Sequence, residues 1–302
     1  MADKADMILS SNAVFTGLGT EPKPGFVAVK GNKIIAVEEK CHMESFIGPH
    51  TKIIEYQNQL IMPGFHDFHV HVLLGSLQED RINLLKARSE QEAAHMVAQF
   101  AQTRPDAKWV LGFCWYHPYW EDKELPHRDS LDAMIPDRPV FLLHAAAHIA
   151  WLNSKALELL NIDRNTPDPP AGEIVRDENG EPTGVLIENA IALAKEAFQL
   201  PEKDAKRIFQ MFLNKAASLG VTSVHDMLPL PAIELGDLDL YEAFDNSDEL
   251  TVRIHFLTTL NGDLQRARFL RDKYRSDRLQ FCGLKQFLDG IVTAHTALLV
   301  DP

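Results

Sequence analysis

Apolar and polar positions alternate in short runs over the first 62 residues, then settle into longer blocks that switch between strand-like and helix-like periods. In "MILSSNAVFTG" (7–17) the alternation runs up to Gly17, the period-2 signature of a half-buried strand. "GFVAVKGNKIIAVEEK" (25–40) gives two such runs around Gly31 and Asn32, a pair suited to a tight hairpin turn. "TKIIEYQNQLIMPG" (51–64) adds further extended segments. About 60 residues of β structure form a marginal core alone. Residues 1–62 are therefore expected to be a small β module that packs on the next part of the chain.

From Gly64 onward, strands alternate with helices. "KDAKRIFQMFLNKAASLG" (203–220) places Ala205, Ile208, Phe209, Phe212, Ala216 and Leu219 on one helical stripe, with Gly220 as a C-terminal cap. "VTSVHDM" (221–227), "LTVRIHFLTTL" (250–260) and "LQFCGLKQFLDG" (279–290) read as buried strands. The last two are separated by the helical "LQRARFLRDKYR". This alternation predicts a parallel sheet with crossover helices. Roughly residues 76–200 read as an α+β insertion that could cover the mouth of a site. It has a helix at "SEQEAAHMVAQF", opened by a Ser89/Glu92 capping box, and strands at "WVLGFCW" and "PVFLLHAAAH". "GEIVRDENGEPTGVLIE" reads as a hairpin turning at Asn179-Gly180.

Composition narrows the partners. Hydrophobic residues at 45% and charged residues at 24% are ordinary for a globular protein. The formal net charge is −13, from 30 basic and 43 acidic residues. No basic block stands out, which argues against nucleic acid as a partner. Cys41, Cys114 and Cys282 are few, odd in number and far apart, so neither a disulfide framework nor a cysteine-built zinc site is expected. Asp3 and Asp6 stand where a signal peptide would be basic, and no run approaches the roughly 18 apolar residues of a membrane span. The expectation is a cytoplasmic protein with no membrane partner.

The chemistry concentrates in "PGFHDFHVH" (63–71). Strand alternation projects Asp67, His69 and His71 from one face and Phe68 and Val70 from the other, with His66 opposite to His69. Imidazoles and a carboxylate converging on one side suit a divalent metal. A bare H-x-H in a chain with 13 histidines also arises from packed or surface residues. His225 closes the "VTSVHD" strand, whereas His255 lies mid-strand and reads as packed. His144 and His148 share a strand face without a third donor nearby. Lys285 and Asp289 share a face by spacing, but a late-strand lysine ordinarily reaches water and Asp-Gly also makes a turn. His42, His50, His95, His117, His127 and His295 have no partner pattern.

These segments carry a resemblance. "LIMPGFHDFHVH" looks like the first barrel strand of the amidohydrolase superfamily. "LDAMIPDRPVFLLHAAAHIAWLNSKAL", "TPDPPAGEIVRDENGEPTGVLIENA", "GVTSVHDM" and "LKQFLDGIVTAHTALL", in that order, resemble its third amidohydrolase family, a branch of metal-dependent hydrolases that includes N-substituted formamide deformylase. The resemblance implies an α/β fold: a (β/α)8 TIM barrel, strands one to four of it in 63–302, beside a small N-terminal β-sandwich. Its metal centre would lie at the C-terminal mouth of the barrel. On that basis His69 and His71 are metal ligands, and Lys285, carboxylated by carbon dioxide, bridges two divalent ions. Zinc suits these ligands, as do manganese, iron or nickel. Asp67, His148, Asn153, His225 and Asp289 become residues supporting the ligands or touching substrate, and Glu188 is a further candidate.

The implied reaction is hydrolysis of a C–N bond other than a peptide bond, in a small N-acyl or N-formyl amine-like amide. If Lys285 is not a ligand, a mononuclear deaminase becomes the better reading, and a cyclic amidase is a further alternative; a non-catalytic binding domain is the third. The resemblance places further histidines and a general-base Asp beyond Pro302, so no catalytic proton-transfer residue is expected within the chain, and an inactive N-terminal fragment is anticipated. Its open sheet edges would be covered by the rest of the protein or by another chain, as in a homo-oligomer.

Overall fold

A computed structural model describes residues 3–227, 235, 237–286, 288, 289, 297 and 298. The chain divides into two compact units, Met1–Phe65 and His66–Pro302.

In the first unit β1 (Met7–Val14), β2 (Lys23–Lys30), β3 (Lys33–Glu38), β4 (Lys52–Glu55) and β5 (Leu60–Ile61) form one five-stranded sheet. The β2–β3 hairpin turns where the sequence places it, with Gly31 at φ +57°. A β-sandwich would need a second sheet, and none occurs among the described residues of this unit. A 3-10 helix, Lys40–Phe46, supplies the covering layer instead. Its Met43 and Phe46 pack over Ile8, Phe26 and Ala28, with the Phe26 and Phe46 rings 5.6 Å apart.

The second unit starts within β6 (Phe65–Val70), followed by α1 (Val72–Asp80). The insertion then builds its own sheet from β7 (Ile82–Asn83), β8 (Val110–Trp115), β9 (Val140–His144), β10 (Ile149–Leu152), β11 (Gly172–Arg176) and β12 (Pro182–Glu188). Their order is β11-β12-β10-β9-β8-β7, parallel from β7 to β9 and antiparallel beyond. Helices α2 (Glu90–Gln102), α3 (Arg128–Asp132) and α4 (Ser154–Leu159) lie between these strands in sequence. Ser89 caps α2 through the Glu92 N–H, but the Glu92 carboxylate accepts from the Arg88 N–H rather than from that of Ser89.

The unbroken apolar run of β9 has a simple cause, burial of both faces. Val140 and Leu142 join one core with α2 and α3, while Phe141 and Leu143 join a second. In β8 the pairing with β9 slips at Cys114, whose φ is +64°, so Phe113 enters one core and Trp115 the other.

The rest of the unit is α5 (Glu202–Ser218), β13 (Val221–Asp226), α6 (Asp237–Asn246), β14 (Arg253–Thr259), α7 (Leu264–Lys273) and β15 (Leu279–Lys285). Its four-stranded sheet has the order β15-β14-β13-β6, with β13, β14 and β15 parallel, as the strand–helix alternation requires. Helix α5 buries Ile208, Phe209, Leu213 and Ala216. Leu219, assigned to that stripe, is 58% exposed because the helix stops at Ser218 and Gly220 turns the chain at φ +73°. One continuous core takes Phe113, Phe141 and Phe198 from the insertion together with Leu73, Phe209, Tyr241 and Phe256 from the elements around the four-stranded sheet.

Candidate metal centre

Strand β6 ends at Val70, and His71 is the N-cap residue of α1. The extended segment closes here because helix α1 opens with an apolar block, Val72, Leu73 and Leu74, all buried. The His69 and His71 rings stand edge to face, 5.9 Å between centroids. Burial, and then the positive charges of Lys285 and His69, push the His71 pKa down to about 4. His71 is therefore neutral at pH 7, the form that binds metals.

Lys285 is the last residue of β15, opposite Thr259 of β14. Although β6 and β15 are the outer strands of the sheet, His71 feels the Lys285 charge. Burial lowers the Lys285 pKa, and the nearby Asp226 carboxylate works against that shift.

Asp67 is exposed, and its Oδ1 accepts the backbone N–H of His69 at 3.1 Å, so it braces the strand rather than a ring nitrogen. With His71, Arg81 and Lys215 it lines a groove of about 540 Å³. His66, set aside in the sequence, pairs with His225: His66 Nε2 and His225 Nδ1 are 2.7 Å apart. His225 stacks in turn on His255, its register partner in β14, at 5.0 Å. Alternation explains this, since residues 66 and 68 of β6 meet the face on which β13 presents His225. His225 is thus engaged with His66 and His255.

The strand pattern singles out His225 and passes over its neighbour. Asp226 is wholly buried, where it accepts the Tyr241 hydroxyl at 2.5 Å and the Val72 N–H at 3.3 Å. Burial pushes its pKa up to about 7 against these two hydrogen bonds and the Lys285 charge. The available signal is its period-2 relation to Val224, which marks Asp226 as a polar residue on the buried face.

In the insertion, His148 Nδ1 meets Glu188 Oε2 at 2.8 Å. Glu188 has the unusual φ of +51°. Asn153, expected to touch substrate, is fully buried, and its amide is committed to backbone. It accepts from the Val140 and Ala156 N–H groups and donates to the Ile135 and Arg138 carbonyls. It is the N-cap of α4, a structural position. Asp289 lies past the end of β15 and so does not share a strand face with Lys285; it accepts the Leu298 N–H at 3.0 Å. His295 lies outside the described residues.

Residues 52–302 match the model of the Amidohydrolase family. The chain belongs to this family. Relatives of the chain include Protein LONG AFTER FAR-RED 3 of Arabidopsis thaliana, 29% identical over 306 residues, a match covering 98% of this chain and 52% of that protein. N-substituted formamide deformylase of Arthrobacter pascens is 28% identical over 209 residues, 67% of this chain and 39% of that protein. An uncharacterized metal-dependent hydrolase from Pyrococcus horikoshii shares the fold at a TM-score of 0.69 and 23% identity, over 98% of this chain and 57% of that one. The chain spans about half the length of the curated relatives it matches.

Among the described residues no helix is long and apolar enough to cross a membrane. Nor do three His, Cys, Asp or Glu side chains converge among the described residues to hold a metal. By donor chemistry the His69 and His71 imidazoles, the second kept neutral by burial, are of the type that binds a divalent cation, and burial lowers the Lys285 pKa.

Proposed function

We propose that this amidohydrolase carries the metal-ligating residues of a metal-dependent hydrolase that cleaves a C–N bond other than a peptide bond in an N-acyl or N-formyl amine. The reading rests on one observation: the rings of His69 and of His71, the N-cap of α1, stand edge to face with 5.9 Å between centroids where β6 gives way to the helix, and burial lowers the His71 pKa toward the neutral, metal-binding form. In it β6, β13, β14 and β15 are the first four strands of a (β/α)8 barrel. The parallel pairing, the crossover helices and the likeness to the Pyrococcus hydrolase support that assignment.

His69 and His71 would hold the metal through ring nitrogens. Lys285, as the neutral amine, would add carbon dioxide at Nζ with loss of one proton, and the resulting carbamate would supply anionic oxygen ligands to the metal. Burial favours the neutral amine that this addition needs. When bound, a divalent metal such as zinc polarises the substrate carbonyl and activates water.

The test uses the product of the complete gene: zinc content measured with and without bicarbonate, and turnover of a panel of N-acyl and N-formyl amines. Both His69→Ala and Lys285→Ala are expected to abolish turnover, and only the wild type should gain metal on adding bicarbonate. Undiminished turnover in either variant removes that residue from the site. One metal per chain with no bicarbonate response would move the centre to the mononuclear, deaminase-like type.

A further inference from the structure

We infer that Asp226 is a positioning residue of this metal centre, holding the backbone around His71 from the buried side of the sheet. The inference rests on the metal-site reading above. Asp226 closes β13 one position after His225, and alternation turns it away from the histidine stack, to the face where Val224 enters the core. Its Oδ1 accepts the N–H of Val72, the first residue of α1. The first N–H groups of a helix have no partner inside the helix.

The residue normally placed to serve them is the N-cap, His71, which makes no side-chain capping bond. Asp226 takes over that task from a neighbouring strand. The next residue completes the arrangement: the Met227 N–H donates to the Val70 carbonyl at 2.8 Å. Consecutive residues of β13 and its exit thus grip positions 70 and 72, one on each side of His71. Tyr241 of α6, itself wholly buried, fixes the carboxylate by donating to its second oxygen. A carboxylate is costly to bury unless it is hydrogen-bonded, and here both oxygens are engaged.

Zinc affinity of the 302-residue chain, read by chelator competition, tests this with four variants. Asp226→Ala, shown to be folded by circular dichroism, should bind zinc about 10–100-fold more weakly, the range seen when a residue supporting a ligand is removed. Asp226→Asn keeps an acceptor for Val72 and should stay within about threefold of wild type, a rescue that a purely electrostatic role would not give. Wild-type affinity in folded Asp226→Ala overturns the inference. Should that variant not fold, Tyr241→Phe decides, because it leaves the carboxylate in place but unanchored: several-fold weaker binding supports the inference and unchanged binding overturns it. His71→Ala is the control, since undiminished zinc binding there removes the metal-site reading itself and the inference with it.

Discussion

His144 and His71 both titrate near pH 4 because burial disfavours their charged rings, His144 being only 3% exposed. An unfolded histidine titrates near 6.5. Between about pH 4 and 6.5 the unfolded chain therefore binds protons that these folded rings refuse. Their contribution to stability is full above pH 6.5 and is lost as the pH falls toward 4. Asp226 works in the opposite direction: raised to about 7, it costs stability as the pH rises from 3.8. A comparison of variants isolates one group from the other. His144→Gln is expected to flatten the acid limb of stability against pH by up to about 3 kcal/mol at pH 4. Urea titrations from pH 4 to 7 measure it, and an unchanged limb would show that His144 is not held neutral. Asn153→Ala, which removes the side-chain bonds to the Val140 and Ala156 N–H groups and the Ile135 and Arg138 carbonyls and leaves the Val140 N–H without its acceptor, should cost roughly 2–4 kcal/mol in the same assay. At this scale the sequence marks positions 66–71 and His225 and assigns their faces by alternation, but it does not mark Asp226, whose partners Val72 and Tyr241 lie in α1 and α6. The strand pattern favours His225, yet its neighbour Asp226 is the residue that reaches α1.

Elements with local signals are legible: the hairpins at Gly31 and Asn179-Gly180, the α2 cap, and the extent of α5. Those set by a neighbouring strand are not. Cys114 gives no sign in sequence of the slip it causes in β8, and nothing near Gly184 shows how closely β12 approaches β10. Gly184 has φ +97°, and a Cβ there would lie 2.3 Å from the Leu152 carbonyl oxygen and 2.9 Å from Arg128 Cβ. The backbone cannot yield without breaking the β10–β12 pairing. Gly184→Ala is expected to cost about 3 kcal/mol or more, combining the strained φ with the clash. Gly180 also has a positive φ, +81°, but open space around its Cβ position, so Gly180→Ala should cost only about 1 kcal/mol. Melting temperatures of the two variants separate steric approach from conformational freedom. Equal losses would mean that the close approach contributes nothing.

Across the whole second unit, the sequence locates the insertion but gives no hint that it shares its interior with the rest. Pairings between residues a hundred positions apart leave no periodic trace in the chain. Phe113, Phe141, Phe198 and Leu186 of the insertion pack in the same core as Leu73, Phe209, Tyr241 and Ile254. The insertion is therefore half of a common interior rather than a separate lid. Its removal would expose the inner faces of α1, α5 and the four-stranded sheet, a loss far larger than the typical 5–15 kcal/mol of net stability. Replacing residues 81–200 with a short Gly/Ser linker should accordingly abolish cooperative unfolding and leave the amides of α1 and β13 unprotected in hydrogen exchange. Because Asp226 and Val72 sit in those two elements, zinc binding should vanish with them. A shortened chain that still melts cooperatively and protects β13 would show that the four-stranded sheet carries its own core, and that the contacts around Phe141 and Phe198 are dispensable to it.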